Sequence, residues 1–397
     1  MRVLMLSKAC IVGIYQRKLE EIARLGVDLL TLVPPSWKDE RGETKLERVY
    51  TQGYQLEVVP ITFNGNFHLH YYPTIAQWIQ RFRPHIVHID EEPYNLASWQ
   101  ALYHARRAGA KSLFFSWQNI NRTYPPPFNW GERWVLNNID YALVGTESAA
   151  TVWREKGYQG EMAVVPQFGT DPDLFKPMMP PEIRMMKLSE RPQEFVGKGL
   201  RPFLSEDQPH PFTIGYVGRL VEEKGIHLLL QAVAQLKGEW CLRILGSGPY
   251  KSELLALAEQ LTITNRIEWI DWVASTDMPN QYPQLDVLVI PSLTRPNWKE
   301  QFGRVITEAM SCCVPVIGSN SGAIPDIIGE AGLIVPEGNI EALRDALDGL
   351  RCNPDLRVRL ANAGRARVLA QFTHEQVAVS TVKVYEAMMA DESIASG

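Results

Sequence analysis

The chain has 397 residues, 45% of them hydrophobic and 21% charged, with a formal net charge of −5. That length suits two domains of roughly 150–200 residues each, and the net acidity argues against nucleic acid as a partner. Five cysteines without paired-ligand spacing point to a reducing cytosol rather than a disulfide framework or metal cluster, and no apolar run approaches the length of a membrane span.

Residues 1–176 carry 19 Lys+Arg against 18 Asp+Glu, and the remainder 21 against 27, so the first half is the less acidic. Met1–Ser7 is too short in apolar length for a signal peptide and reads as a first strand. It is Val3–Leu6 followed by a turn near Gly13, a helix pattern at Leu19, Ile22, Ala23 and Leu25, and a strand at Leu29–Val33. Further apolar runs stand at Ile86–Ile89, Leu113–Phe115, Ala142–Val144 and Met162–Val165, with helical stretches between several of them. This alternation predicts a doubly wound parallel sheet.

His85, His88, Asp90, Glu91 and Glu92 cluster in sequence, but the apolar Ile86, Val87 and Ile89 make this a buried strand. Alternation along it separates the would-be metal ligands onto two faces. Glu91 or Glu92, at the strand's end, is left as a candidate for an acceptor cleft. Near that cleft the run Pro125–Pro127 with Trp117, Trp130 and Trp134 reads either as sugar-stacking surface or as core.

From Lys176 to Pro211 seven prolines break the pattern, which predicts an interdomain linker at 177–210. Alternation then restarts with strands at Thr213–Val217, Cys241–Leu245, Ile267–Ile270, Val287–Ile290, Val314–Ile317 and Gly332–Val335, and 340–391 reads as helical with a break near Phe372-Thr373. Two segments in this half carry chemistry. The first is Gly215-Tyr216-Val217-Gly218-Arg219-Leu220-Val221-Glu222-Glu223-Lys224-Gly225. The second runs from Trp298 to Met310 and holds Glu300, the Phe302-Gly303 turn and Glu308.

A Gly-containing turn that opens a helix leaves backbone N–H groups and the positive end of the helix dipole available to phosphate. Arg219 and Lys224 add fixed positive charge, and arginine can grip phosphate with two parallel hydrogen bonds. Glu308, about two turns into the helix opened by Gly303, can accept from the vicinal hydroxyls of a ribose. Glu300, before the turn, can face the hexose on the other side of a diphosphate. Either element alone is better explained by a solvated helix face and surface charges. Both in order, each after an apolar strand, favour a sugar-nucleotide site.

The stretch 211–340 resembles the C-terminal half of family 4 retaining glycosyltransferases. The similarity is carried by "GYVGRLVEEKG", by Gly246–Pro249 and by "PSLTRPNWKEQFGRVITEAM" at 291–310. The resemblance implies the GT-B architecture: two Rossmann-like α/β domains facing across a cleft, here an acceptor-side domain at 1–176 and a nucleotide-sugar domain at 211–372. A last helix, about 375–391, would return to the first domain. It implies that Arg219 and Lys224 bind the diphosphate, assisted by backbone N–H groups near Phe302 and Gly303. Glu308 would bind the ribose and Glu300 the donor sugar.

Two departures stand out. Gln118 takes the place of the histidine that many members carry near the donor hexose, and it hydrogen-bonds without titrating. It acts on the sugar or merely satisfies loop backbone. The family's glycine pair after the first strand is reduced to Gly13, which still permits a close phosphate approach.

The reading is therefore a cytoplasmic hexosyltransferase that retains anomeric configuration. It takes a nucleotide-diphosphate sugar as co-substrate, with no cofactor and no metal, and a saccharide or glycolipid acceptor. Polysaccharide biosynthesis is favoured over glycolipid synthesis at the cytosolic membrane face, where the contact would be peripheral. The alternatives are a sugar-nucleotide 2-epimerase of similar fold and a catalytically silent sugar-nucleotide-binding protein. Asp171-Pro172-Asp173 reads as turn and cap residues, not as a metal motif.

Overall fold

The structure is a computed structural model and describes residues 1–39, 42–178, 211–271, 273–274 and 276–395, without the side chains of 391–395. The proline-rich stretch expected to link the domains, 177–210, lies almost wholly outside the described residues. The chain divides into two compact units, one of Met1–Gly169 with His374–Gly397, the other of Thr170–Thr373. The first boundary falls before Thr170 and not after Lys176. Residues 170–175 fasten to the second unit: Thr170 N–H donates to the Phe372 carbonyl at 2.7 Å, and Ser311 Oγ donates to the Phe175 carbonyl at 2.6 Å.

The first unit is a seven-stranded parallel sheet. Its strands are β1 (Arg2–Leu6), β2 (Asp28–Val33), β5 (Gln55–Val58), β6 (Ile86–Ile89), β7 (Lys111–Ser116), β8 (Tyr141–Val144) and β9 (Glu161–Val164), in the order β5-β2-β1-β6-β7-β8-β9. Helices α1 (Arg17–Arg24), α2 (Ile75–Phe82), α3 (Leu96–Arg107), α4 (Phe128–Leu136) and α5 (Glu147–Glu155) connect them. The central strands are buried along their length, as a sheet covered on both faces requires, which is why they read as continuous apolar runs. Three strands escaped the sequence pattern. The hairpin of β3 (Ser36–Asp39) and β4 (Gly42–Lys45) is polar and largely exposed, and β5 buries only Leu56.

The second unit is a six-stranded parallel sheet of order β12-β11-β10-β13-β14-β15. Its strands are β10 (Phe212–Val217), β11 (Trp240–Leu245), β12 (Ile267–Ile270), β13 (Val287–Ile290), β14 (Val316–Ser319) and β15 (Leu333–Val335). Helices α6 (Ile226–Val233), α7 (Lys251–Gln260), α8 (Arg304–Ser311), α9 (Ile324–Ile328), α10 (Ile340–Cys352) and α11 (Pro354–Gln371) complete it. The strand expected at Val314–Ile317 starts two residues later. Val314 N–H instead closes the end of α8 on the Ala309 carbonyl at 2.9 Å, and proline at 315 has no N–H to give a ladder.

The helical stretch from 340 has a break beyond the one expected near Phe372. Asn353 accepts the Leu356 N–H at 3.0 Å and Pro354 takes the first position of α11, where its missing N–H costs nothing. The chain ends in α12 (His374–Ala395), which packs on α1 within the first unit. There Tyr385 is buried and its hydroxyl lies 2.6 Å from His88 Nδ1.

Candidate functional site

In the second unit the connections leave β10 in opposite directions, toward β11 on one side and β13 on the other. Ligands of open α/β sheets bind outside the carboxyl ends of the strands at such a reversal. The loops that follow β10 and β13 there carry Arg219, Lys224 and Glu300. Lys224 Nζ lies 2.5 Å from Glu300 Oε2, and Ser292 Oγ donates to the same oxygen at 3.0 Å. The Trp298 ring stands 5.0 Å from the Lys224 ammonium. Glu300 is buried and Lys224 partly exposed, so the lysine is held at the mouth of the reversal by a carboxylate beneath it. The two residues, expected as separate contacts to phosphate and hexose, are thus one ion pair.

Arg219 is exposed and borders a cavity of about 280 Å³ with Gly218, Gly246, Ser247 and Asp271. Its loop is held by the Tyr216 hydroxyl donating to the Arg219 carbonyl at 2.8 Å and by Leu220 N–H donating to the Ser247 carbonyl at 3.0 Å. Gly303 caps α8 in the left-handed region at φ +72°, a conformation glycine reaches without strain. The Phe302 ring is buried edge-on to Phe372, which fixes the turn that opens the helix.

Glu308, on α8, accepts from the Tyr282 hydroxyl at 2.5 Å through Oε2, and its Oε1 lies 3.9 Å from Arg304 Nε. Burial and then the neighbouring Glu308 carboxylate hold the Tyr282 hydroxyl well above its usual value, so it remains a donor. Tyr282, Ser292 and Trp298 were given no role from sequence. Ser292 and Trp298 lie within the stretch 291–310, and Tyr282 lies upstream of it.

Gly13 and Gln118 lie in the first unit. The Gly13 N–H donates to Glu47 Oε2 at 2.7 Å, and a Cβ at this position would stand 2.3 Å from Val49 Cγ2. The glycine therefore makes room for the chain's own 47–49 segment, and the phosphate approach expected at Gly13 meets a filled flank. Gln118 donates through its amide to the Ile120 carbonyl at 3.1 Å, while its Oε1 is buried without a partner among the described residues. An unpartnered buried acceptor is costly, so a ligand hydroxyl there would be stabilised. Asp171 accepts from the Asp173 and Leu174 N–H groups at 2.9 and 3.2 Å, as turn and cap residues do.

The first unit's sheet also reverses, between β1 and β6. At that point lies a cavity of about 360 Å³ bordered by Lys8, Trp37, Phe67, Asp90, Glu91, Glu92 and Trp117, among others. Burial alone would raise the Glu91 carboxyl, but Lys8 and His70 overcome it and hold it at about 2. Burial pushes Glu92 up to about 7, against the hydrogen bonds that lower it from Ser116 Oγ at 2.6 Å and Trp117 N–H at 2.9 Å. Asp90 accepts from Ser7 Oγ at 2.5 Å and Gln167 Nε2 at 2.8 Å. His88, buried and held neutral by that burial, bonds Tyr385 instead of joining these carboxylates.

Residues 203–367 match the family model described as glycosyl transferases group 1, and residues 14–167 match the glycosyl transferase 4-like domain. The chain belongs to this family of glycosyltransferases, of GT4 type with the GT-B fold. It is 33% identical over 178 residues to the capsular polysaccharide biosynthesis glycosyltransferase CapM of Staphylococcus aureus, a match covering 41% of this chain and 43% of that protein. It is 27% identical over 351 residues to a GDP-mannose-dependent alpha-(1-6)-phosphatidylinositol monomannoside mannosyltransferase of Mycolicibacterium smegmatis, covering 85% of this chain and 84% of that protein. Among solved structures, Anabaena Alr3699/HepE in complex with UDP superposes with a TM-score of 0.69 at 16% identity, over 98% of this chain and all of the other. At that identity the likeness bears on the fold alone. Among the described residues no helix is long and apolar enough to cross a membrane.

Proposed function

We propose that the protein is a retaining glycosyltransferase that moves a hexosyl group from a nucleotide-diphosphate sugar to a saccharide or glycolipid acceptor, in polysaccharide or glycolipid biosynthesis. The observation that carries this reading is the joining of Lys224, Glu300 and the N-terminus of α8 at the strand reversal of the second unit. Arg219, Lys224 and the α8 N–H groups would take the diphosphate, where their charge favours the leaving group as it departs. Glu308, aimed by Tyr282, would hold the ribose. Glu300 would hold Lys224 and a hexose hydroxyl together. Gln118 would offer Oε1 to a sugar hydroxyl.

In the step proposed, the bond from the anomeric carbon to the phosphate oxygen breaks and the acceptor oxygen bonds to that carbon on the same face. The acceptor's proton passes to the departing phosphate oxygen, so Gln118 need not titrate. These cations offset the phosphate charge without a divalent ion, and no cofactor takes part. The first unit would be the acceptor side. The epimerase alternative needs a titratable pair near sugar C2, and the silent-binder alternative needs a donor that binds without turnover.

The test is a panel of nucleotide sugars screened by thermal shift, since a ligand bound only by the folded state raises the melting temperature. It is followed by transfer assays with and without EDTA, and by NMR of the product's anomeric coupling. We expect an α product from an α donor and activity that survives chelation. A β product, or activity lost to EDTA and restored by magnesium, overturns the corresponding half of the proposal. Binding of a donor without transfer or hydrolysis would support the silent binder instead.

A further inference from the structure

We propose that the cavity at the β1–β6 reversal of the first unit receives the acceptor's sugar and selects by charge, taking a neutral or amino sugar and rejecting one that carries phosphate or carboxylate. This rests on the glycosyltransferase reading above and adds to it the chemical class of the acceptor.

Among the described residues, the charges that border the cavity are four acids, Asp39, Asp90, Glu91 and Glu92, and one cation, Lys8. That cation is already spent. Lys8 Nζ is hydrogen-bonded to Glu91 Oε2, and the rings of Phe67 and Trp37 stand 4.7 and 5.4 Å from it. Glu91 in turn accepts from Tyr72 Oη at 3.5 Å and Asn95 Nδ2 at 3.4 Å, and the His70 ring stands beside it with Nε2 at 3.5 Å. The Lys8–Glu91 pair therefore presents little net charge, and Asp90, which accepts from the neutral Ser7 and Gln167 side chains, keeps this wall acidic even when Glu92 carries a proton. An anionic group entering this partly desolvated space meets like charge at short range, and among the described residues no bordering cation is left to receive it.

A sugar without negative charge fits the same walls. Its hydroxyls can donate to carboxylates, and its C–H faces can lie against Trp37, Phe67 and Trp117. Trp117 is held in place by its Nε1 donating to Gln167 Oε1 at 2.7 Å, and Gln167 in turn by Asp90. An ammonium substituent would gain where phosphate loses. A volume of about 360 Å³ lies near the lower end of small-molecule sites, roughly 300–1,000 Å³, which suits a sugar terminus better than an acyl chain.

The experiment uses the full chain and four probes: methyl α-D-glucopyranoside, methyl α-D-glucosaminide, glucose 6-phosphate and methyl glucuronide. Binding is read by saturation-transfer NMR and titrated by intrinsic tryptophan fluorescence, with Trp37→Ala as the control that locates the signal. We expect the neutral and amino sugars to bind at least about tenfold more tightly than the two anions, a preference set by the repulsive charges. Glu91→Gln releases the Lys8 charge and should narrow that ratio. Should the buried substitution unfold the protein, Asp39→Lys, at an exposed position of the rim, should narrow it too. Equal or tighter binding of glucose 6-phosphate or the glucuronide overturns the proposal, as does sugar binding that Trp37→Ala leaves unchanged, or no binding of any probe. Donor protection in the thermal-shift panel is read separately. If nucleotide sugars bind and the charge preference is absent, this inference alone fails. If none binds, the glycosyltransferase reading fails.

Discussion

Glu92 and Glu91 are neighbours in sequence with carboxyls displaced in opposite directions, to about 7 and about 2 from an ordinary 4.5. The raised group binds a proton more readily in the folded state than in the unfolded one. Its contribution to stability is therefore complete below pH 4.5 and is lost as pH rises through 7. A displacement of that size corresponds to roughly 3 kcal/mol, at 1.36 kcal/mol per pH unit. Glu92 keeps some solvent contact at the cavity wall, which screens the desolvation, so this is a ceiling.

The informative perturbation is Glu92→Gln, which keeps the shape and an acceptor for the Trp117 N–H but cannot ionise. Relative to wild type, the variant should gain up to about 3 kcal/mol between pH 4.5 and pH 8. For a unit of this size that is a relative rise in melting temperature of roughly 6–12 °C at most. The assay is thermal or urea unfolding of both proteins across that range, and taking their difference cancels every other titrating group. A difference that stays flat with pH would refute the reasoning, because it would mean that Glu92 titrates alike in the folded and unfolded chains.

Four further outcomes follow from the site. Glu91 is displaced downward, so its contribution is present above pH 4.5 and lost as pH falls toward 2; Glu91→Gln should flatten the acid limb of the stability curve over that window. Arg219→Ala and Lys224→Ala should each weaken nucleotide binding by roughly 1.5–3 kcal/mol in calorimetry, and unchanged affinity in both removes the phosphate assignment. Because Lys224 and Glu300 are one ion pair, the double variant should lose less than the sum of the single ones; strict additivity of donor affinities would break that coupling. Glu308→Ala should mainly raise the donor's Kd while Glu300→Ala mainly lowers kcat, and Tyr282→Phe should follow Glu308 in raising Kd by a smaller factor. A common kinetic signature for Glu300 and Glu308 would undo the division of roles.

Much of the fold could be read locally. The runs at 86–89 and 287–290 coincide with the fully buried strands β6 and β13, because a strand covered on both faces reads as a nearly continuous apolar run, and the run at 267–270 coincides with the half-buried edge strand β12. The polar β3–β4 hairpin could not be found that way, since its strands bury almost nothing and their pairing is specified by partners rather than by pattern. The two motifs of the second half declared a helix N-terminus with charged residues beside it, and residues 304–311 do form that helix.

What the tertiary structure alone decided is which side chains meet. Parallel strands are joined by crossovers, so strand order, and with it the two reversals, is set by contacts far apart in sequence. Lys224 reaches Glu300 across 76 positions, Lys8 reaches Glu91 across 83, and Glu47 fills the flank of Gly13 across 34. Local periodicity carries no signal for such pairs. The charge at each strand end, free or already spent, is fixed only when the sheet brings its loops together.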